Sequence, residues 1–286
     1  METIGIIAGF GNLPALCAQG AAAAGYKVAV FDFVPSQLFL LAQEERTKIS
    51  NEREKLKKLA DVYYPLGFGD FSKLIALAGK LAIKQLVSLG KIRKEALFRD
   101  VKLDERLAAL IRGLPVHNDD AIQKAVVDEL EREGMKVLSQ LHFLRSFVPA
   151  PGVLTECEPT AEQWQDIKYG YKLAKAIAGL DIGQSVVVKD KTVLAVESLE
   201  GTDSTIRRGA ELGGEGIVLV KVSKPEQDLR FDIPTIGPDT LRTVIQVKGK
   251  VLAFDANLTL LVDKEELLAQ AQASGVSLVA VGEELN

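Results

Sequence analysis

Carboxylates in the second half of the chain stand where they can do chemistry. The run Ala195-Val196-Glu197-Ser198-Leu199-Glu200-Gly201-Thr202-Asp203 reads as a strand that ends in Glu197 and passes through a glycine into a helix start. Acidic groups at a strand end and at a helix start, beside the unpaired N–H groups of that start, suit a hard cation and a phosphate. Mg²⁺ takes a few carboxylates and completes its shell with phosphate oxygens, and Mn²⁺ is the alternative ion. The plainer reading makes Asp203 an N-cap and Glu200 a solvated loop residue. Arg207, one turn after Asp203, either binds a phosphate or pairs with that aspartate. Asp232 lies between Phe231 and Ile233 in the proline-bounded segment Arg230-Phe231-Asp232-Ile233-Pro234, where a carboxylate needs a partner.

A second candidate lies at the N-terminus. Gly9-x-Gly11-x-x-Pro14 falls between the apolar run Ile4 to Ala8 and a stretch of helical spacing, the context a glycine turn needs to cradle a phosphate. Asp32, about twenty residues on, imitates the ribose-binding acid of a dinucleotide fold, so an NAD(P)-dependent oxidoreductase is a rival reading. Pro14 in place of the third glycine weakens it, and the plain alternative is a tight turn with no ligand. His117 and His142 lack metal-site spacing and read as structural. Ser198 has no G-x-S-x-G elbow and Cys17 and Cys157 have no local partner, so covalent catalysis lacks support.

The elements that must position these groups alternate. Ile4 to Ala8, Lys27 to Phe33, Val62 to Leu66 and Gln85 to Leu89 read as strands. Helices are expected after Pro14, from an Asp70 N-cap to Lys80, and from Asn118-Asp119-Asp120 to the stop at Gly134. Gln37 to Asp61 reads as an exposed helix or excursion whose charges are solvated. Prolines and the loss of periodicity mark 146–159 as a linker, giving a Rossmann-like parallel α/β domain over 1–145 and a mixed α/β domain over 160–286. In the second, Thr160 and Gln163 form a capping box ahead of the stripe Trp164, Ile167, Tyr171 and Ala174. Ser185 to Val188 and Thr192 to Glu197 form a hairpin. A helix over Thr205 to Leu212, a strand Ile217 to Val222, helices near Asp239 to Gln246 and Lys264 to Ala273, and strands Val251 to Phe254 and Val276 to Val281 follow.

With 35 basic against 39 acidic side chains among 286 residues, and no recurrent basic and aromatic stripe, nucleic acid is not an expected partner. Two cysteines without CxxC spacing exclude a disulfide framework or a cysteine-rich zinc site, and a reducing cytosol fits. The N-terminal residues lack a secretory signal, and no uncharged apolar run is long enough to span a bilayer, so a soluble or at most peripheral cytoplasmic protein is expected.

The strings GLDIGQ (179 to 184), AVESLEGTDSTIRR (195 to 208), LVKVSKP (219 to 225) and RFDIPTIG (230 to 237), in this order, resemble the LpxI family, the UDP-2,3-diacylglucosamine pyrophosphatases of lipid A biosynthesis. The resemblance extends to GIIAGFGNLP, FGDFSKL, LGKIRK and NDDAIQKAVVDELEREG. It implies a two-domain enzyme that binds the nucleotide sugar between its halves and, with Mg²⁺, releases UMP and 2,3-diacylglucosamine 1-phosphate. The family's essential aspartate maps to Asp232, which is therefore assigned to metal binding or water activation. Glu197 and Asp203 are the further metal contacts. Gly201 and Thr202 offer N–H groups to a phosphate, with Arg207 beside them. Gly9, Gly11, Asn12, Gly69, Gly90 and Lys91 sit at strand C-termini, where an open α/β sheet binds its ligand. Asn118 and Gln184, within the quoted strings, complete the substrate-binding set. The acylated substrate implies weak peripheral contact with the membrane. A homo-oligomer and a non-catalytic nucleotide-sugar binding module are both compatible with the residues.

Overall fold

A computed structural model describes residues 1–34, 43–90, 103–116 and 119–282. The chain is α/β throughout and divides into two compact units, the first comprising Met1–Leu144 with Leu229–Asp232, the second Arg145–Asp228 with Ile233–Asn286.

In the first unit, β1 (Thr3–Ala8), β2 (Lys27–Asp32), β3 (Val62–Pro65), β4 (Gln85–Leu89) and β5 (Lys136–Val137) form a parallel sheet in the order β3-β2-β1-β4-β5. These strands carry near-continuous apolar runs because helices cover both faces, and Ile4, Ile6, Val28, Val30, Leu86 and Val87 are wholly buried. The helices are α1 (Leu13–Ala23), α2 (Gln43–Leu59), α3 (Phe71–Lys80), α4 (Glu105–Arg112) and α5 (Asp119–Arg132). Strand order reverses between β1 and β4, which makes their C-terminal ends the topological switch point of the sheet. Pro14 stands in the first turn of α1, as its missing N–H allows. Asp70 is the N-cap of α3, but its carboxylate bonds Gly67 N–H instead of capping the helix. Asp104, outside the expected elements, accepts from Ser72 N–H at 2.6 Å and Leu107 N–H at 2.8 Å and so serves the first turns of both α3 and α4. Burial pushes its carboxyl up, but these hydrogen bonds outweigh burial and hold it below the usual carboxylate range.

The charged run before Asp61 is not simply a solvated face. Ile49, Arg53 and Leu56 of α2 lie four and three residues apart on one face, and all three are buried, Arg53 at 5% exposure.

The second unit is built on a six-stranded sheet in the order β6-β13-β11-β9-β7-β8. Its strands are β6 (Gly152–Val153), β7 (Ser185–Lys189), β8 (Thr192–Val196), β9 (Val218–Lys221), β11 (Val251–Asp255) and β13 (Ser277–Val281). Strands β9, β11 and β13 run parallel, whereas β7 is antiparallel to both β8 and β9, and β6 to β13. Asp190 and Lys191 both take positive φ, 50° and 55°, and close the β7–β8 hairpin with the twist adjacent strands require. Residues β10 (Thr235–Ile236) and β12 (Leu260–Leu261) form a small parallel pair that periodicity did not anticipate. Strand β6 falls within the segment expected as a linker, where short pairing replaces side-chain periodicity.

Alternation along these strands sends Val187, Leu219, Leu252, Phe254 and Leu278 to one face and Val186, Val188, Val220, Ala253 and Val279 to the other. Helices α7 (Thr202–Gly213), α8 (Pro238–Gln246) and α9 (Lys264–Ser274) cover the first face, with α6 (Ala161–Gly179) on the second. The α6 start is the expected box: Thr160 Oγ1 accepts from Gln163 N–H, and Gln163 Oε1 accepts from Thr160 N–H. Helix α7 begins three residues before its expected start, with Gly201 as N-cap at φ 78°. Asp203 is therefore corrected from N-cap to an exposed first-turn residue.

Candidate functional site

The switch-point turn of the first unit is fixed from two sides. Gly9 N–H donates to Leu89 O at 2.7 Å, which ties the end of β1 to the end of β4. Gly90 follows at φ 88°, and a Cβ there would meet Phe10 O at 2.5 Å and Gly9 C at 2.7 Å, so only glycine lets the two strand ends approach this closely. On the other side, Arg53 of α2 donates from Nη1 to Gly9 O at 3.0 Å and from Nη2 to Gly11 O at 2.7 Å.

Asp32 is corrected from ribose acceptor to partner of that arginine. It is wholly buried and both oxygens are engaged: Oδ1 by Val34 N–H at 3.0 Å and by Arg53 Nη1 at 3.4 Å, Oδ2 by Tyr63 OH. Burial first, and then the bond to Asp32, push the Tyr63 phenol well above its ordinary value. Of the other substrate-binding candidates, Gly69 is buried with its carbonyl accepting from Asp104 N–H, and Gly9, Gly11, Asn12 and Gly90 share the turn region. Lys91, Asn118 and His117 lie outside the described residues. His142 is exposed, with its ring edge-on to that of its neighbour Phe143.

Leu229–Asp232 also belongs to the first unit. Leu229 O accepts from Gln140 N–H, Arg230 pairs with Glu131 at 3.1 Å, and Phe231 enters the core formed by Phe31, Leu66 and Phe71. Asp232 itself has φ 54°, a left-handed conformation that aspartate enters more readily than most L residues.

The acidic candidates of the second unit gather around the start of α7. Glu197 follows β8, and its backbone N–H donates to Ser185 O. Thr202 Oγ1 donates to Glu197 Oε1 at 2.7 Å and accepts from Lys221 Nζ at 3.2 Å, so a threonine hydroxyl links a carboxylate to an ammonium. Glu197 Oε2 is buried with no hydrogen-bond partner among the described residues. Gly183 seals the other side of this strand end, since a Cβ there would stand 2.0 Å from Glu197 O. Gln184, next to it, gives its carbonyl to Val222 N–H. Glu200 pairs with Arg208 at 2.5 Å; backbone hydrogen bonding first, and then that arginine, hold its carboxyl below the usual range. Asp203 and Arg207 are both exposed and make no ion pair with each other.

The partnerless Glu197 oxygen is a single carboxylate donor of the kind a hard cation takes, and Asp203 stands exposed in the first turn of α7. Among the described residues no group of three or more His, Cys, Asp and Glu side chains is gathered as a closed metal cage.

A further buried cluster, absent from the sequence reading, stands beside the ends of β9 and β11. Lys175 Nζ of α6 donates to Asp255 Oδ2 at 2.6 Å and to Ser223 O and Oγ, each at 3.1 Å, while Ser223 N–H donates to the same Asp255 oxygen at 2.7 Å. A carboxylate that ends the wholly apolar run Val251 to Phe254 was its only local signal.

The LpxI N-terminal domain family matches residues 3–147 and the LpxI C-terminal domain family residues 150–279. The chain is 30% identical to the UDP-2,3-diacylglucosamine pyrophosphatase LpxI of Caulobacter vibrioides, an alignment covering 98% of both chains. Among solved structures, an ADP complex of N5-carboxyaminoimidazole ribonucleotide synthetase aligns at 15% identity and a TM-score of 0.25, over 73% of this chain and 45% of that one. The synthetase of Thermotoga maritima aligns at 16% identity and 0.26, over 70% and 42%. At those scores neither likeness carries an argument.

Proposed function

The chain belongs to the LpxI family, and from that membership we propose that it hydrolyses the pyrophosphate bond of UDP-2,3-diacylglucosamine, or a closely related acylated UDP-sugar, in lipid A synthesis. Water adds to one phosphorus, the P–O–P bridge breaks, and UMP and 2,3-diacylglucosamine 1-phosphate leave. The observation that carries this reading is the relative of that activity, aligned over 98% of the chain. The sequestered Asp32 counts against the oxidoreductase alternative, because the acid that would hold a ribose hydroxyl is spent on Arg53 and Tyr63.

Phosphoanhydride hydrolysis needs an aligned water and charge neutralisation on the phosphate oxygens. We assign Lys221 and the first-turn N–H groups of α7, near Gly201 and Thr202, to the phosphate, and Glu197 to orienting Thr202. Asp232 is assigned to metal contact or water activation. A Mg²⁺ or Mn²⁺ ion bound through Glu197 and Asp203 would neutralise charge developing on the phosphate oxygens. The turn Gly9, Gly11 and Asn12 is assigned to the nucleotide sugar. Leu180, Ile182 and Leu199 are exposed apolar residues in the loops flanking Glu197, and they support weak peripheral contact through the acylated substrate.

The test is mass spectrometry of products from acylated and non-acylated UDP-sugars in ¹⁸O water. UMP and the sugar 1-phosphate are expected, with the label on one of them identifying the phosphorus attacked. Chelator should abolish turnover, and Mg²⁺ or Mn²⁺ should restore it. No product from any UDP-sugar would overturn the reading, and full activity in chelator would remove its metal component.

A further inference from the structure

We propose that Arg53 is a positioning residue for substrate binding: held by Asp32, its guanidinium sets the conformation of the Gly9–Asn12 turn. The inference rests on the assignment of that turn to the nucleotide sugar.

Within the turn, Gly9 and Gly11 carry no side chains, and Gly11 stands at φ 97°. Two glycines in a short turn cost more conformational entropy to order than other residues, so a turn kept in one shape needs an outside restraint. Arg53 supplies it from 44 residues away: one planar fork reaches Gly9 O and Gly11 O together, at 3.0 and 2.7 Å. Both carbonyls thus direct the negative ends of their dipoles at a buried cation, and neither is left to face an anionic ligand.

Arg53 is fixed in turn. A buried guanidinium needs a counter-charge, and Asp32 provides it from the end of β2, itself oriented by Val34 N–H and Tyr63 OH. The acid that holds the ribose in a dinucleotide fold here holds an arginine that holds the turn.

The experiment compares Arg53→Lys with Thr160→Ala, which removes the capping box of α6 in the second unit. Lysine keeps the charge but cannot span two carbonyls and a carboxylate with one planar group. Arg53→Lys is expected to raise KM for the UDP-sugar by about tenfold or more, with kcat changed less than about threefold, and to speed amide exchange across residues 9–13 in the ligand-free protein. Thr160→Ala should lower Tm while leaving KM and exchange in the turn near wild type. A lowered Tm in Arg53→Lys with both KM and exchange unchanged would overturn the inference. If the wild-type protein neither binds nor hydrolyses any UDP-sugar, the functional reading fails on its own. Exchange in the turn then decides: wild-type protection in Arg53→Lys refutes the clamp, and faster exchange restricted to the turn upholds it as a device for another ligand.

Discussion

Asp232 concentrates the residue-scale argument, because its side chain and its backbone are both unusual. At φ 54° most L residues are strained, and asparagine shares the aspartate's tolerance of this region. Asp232→Asn therefore preserves the backbone and removes only the charge. Turnover is expected to fall at least ~10²-fold, the order seen when one preorganised stabilising group is lost, while Tm and affinity for the nucleotide sugar stay near wild type. Measuring all three on one preparation separates a chemical role from a structural one, and near-normal turnover in a folded variant would sink the assignment. The motif singled this aspartate out through resemblance alone. That it sits in a left-handed conformation beside Phe231, itself in the first unit's core, was not readable in the sequence, since neither leaves a periodic trace.

Elements position the second unit's acidic groups through strand and helix ends. Gly183, just before β7, lies against the carbonyl of Glu197, just after β8, where an added Cβ would approach to 2.0 Å. Gly183→Ala must push that strand end away, so it should cost about 1–3 kcal/mol in stability and also most of the turnover. Thr160→Ala removes the α6 capping box at the opposite end of its helix and should cost about 1 kcal/mol with turnover kept. Chemical denaturation paired with product formation tests the contrast. Equal turnover in the two variants would show that Glu197 does not depend on this packing. The box at Thr160 and the turn at Asp190 and Lys191 could be read from adjacent residues because their hydrogen bonds and φ values are local. The start of α7 could not, because its N-cap, Gly201, carries no side chain to signal it.

At the scale of the molecule, the first unit contains a titratable group that couples folding to pH. Cys17 of α1 is wholly buried, and burial pushes its thiol up to about 12. The unfolded chain loses this proton near the ordinary thiol value of about 8.5, whereas the folded chain keeps it. The unfolded state thus binds fewer protons in this window, and stability falls as pH rises from about 9 to about 12. The contribution is complete below the unfolded value and is lost as pH passes the folded one, a change of the order of a few kcal/mol. Urea denaturation across that range should show a shallower alkaline decline in Cys17→Ala than in wild type. Identical slopes would mean that Cys17 does not stay protonated in the folded state. Among the described residues no helix is long and apolar enough to cross a membrane.

By itself the sequence determined the alternation of strands and helices, the β7–β8 hairpin, the Thr160 capping box, and the positions of Glu197, Asp203 and Asp232 near element ends. These features depend on neighbours one to four residues away, where side-chain period and backbone preference act directly. Only tertiary structure decided what those ends are used for. Asp32, Arg53 and Tyr63 meet across separations of 21 and 31 residues, and Lys175 reaches Asp255 across 80. A buried charge at Arg53 looked like one more solvated residue in a charged helix, because its partners are brought to it by the order of the parallel strands and not by the chain beside it.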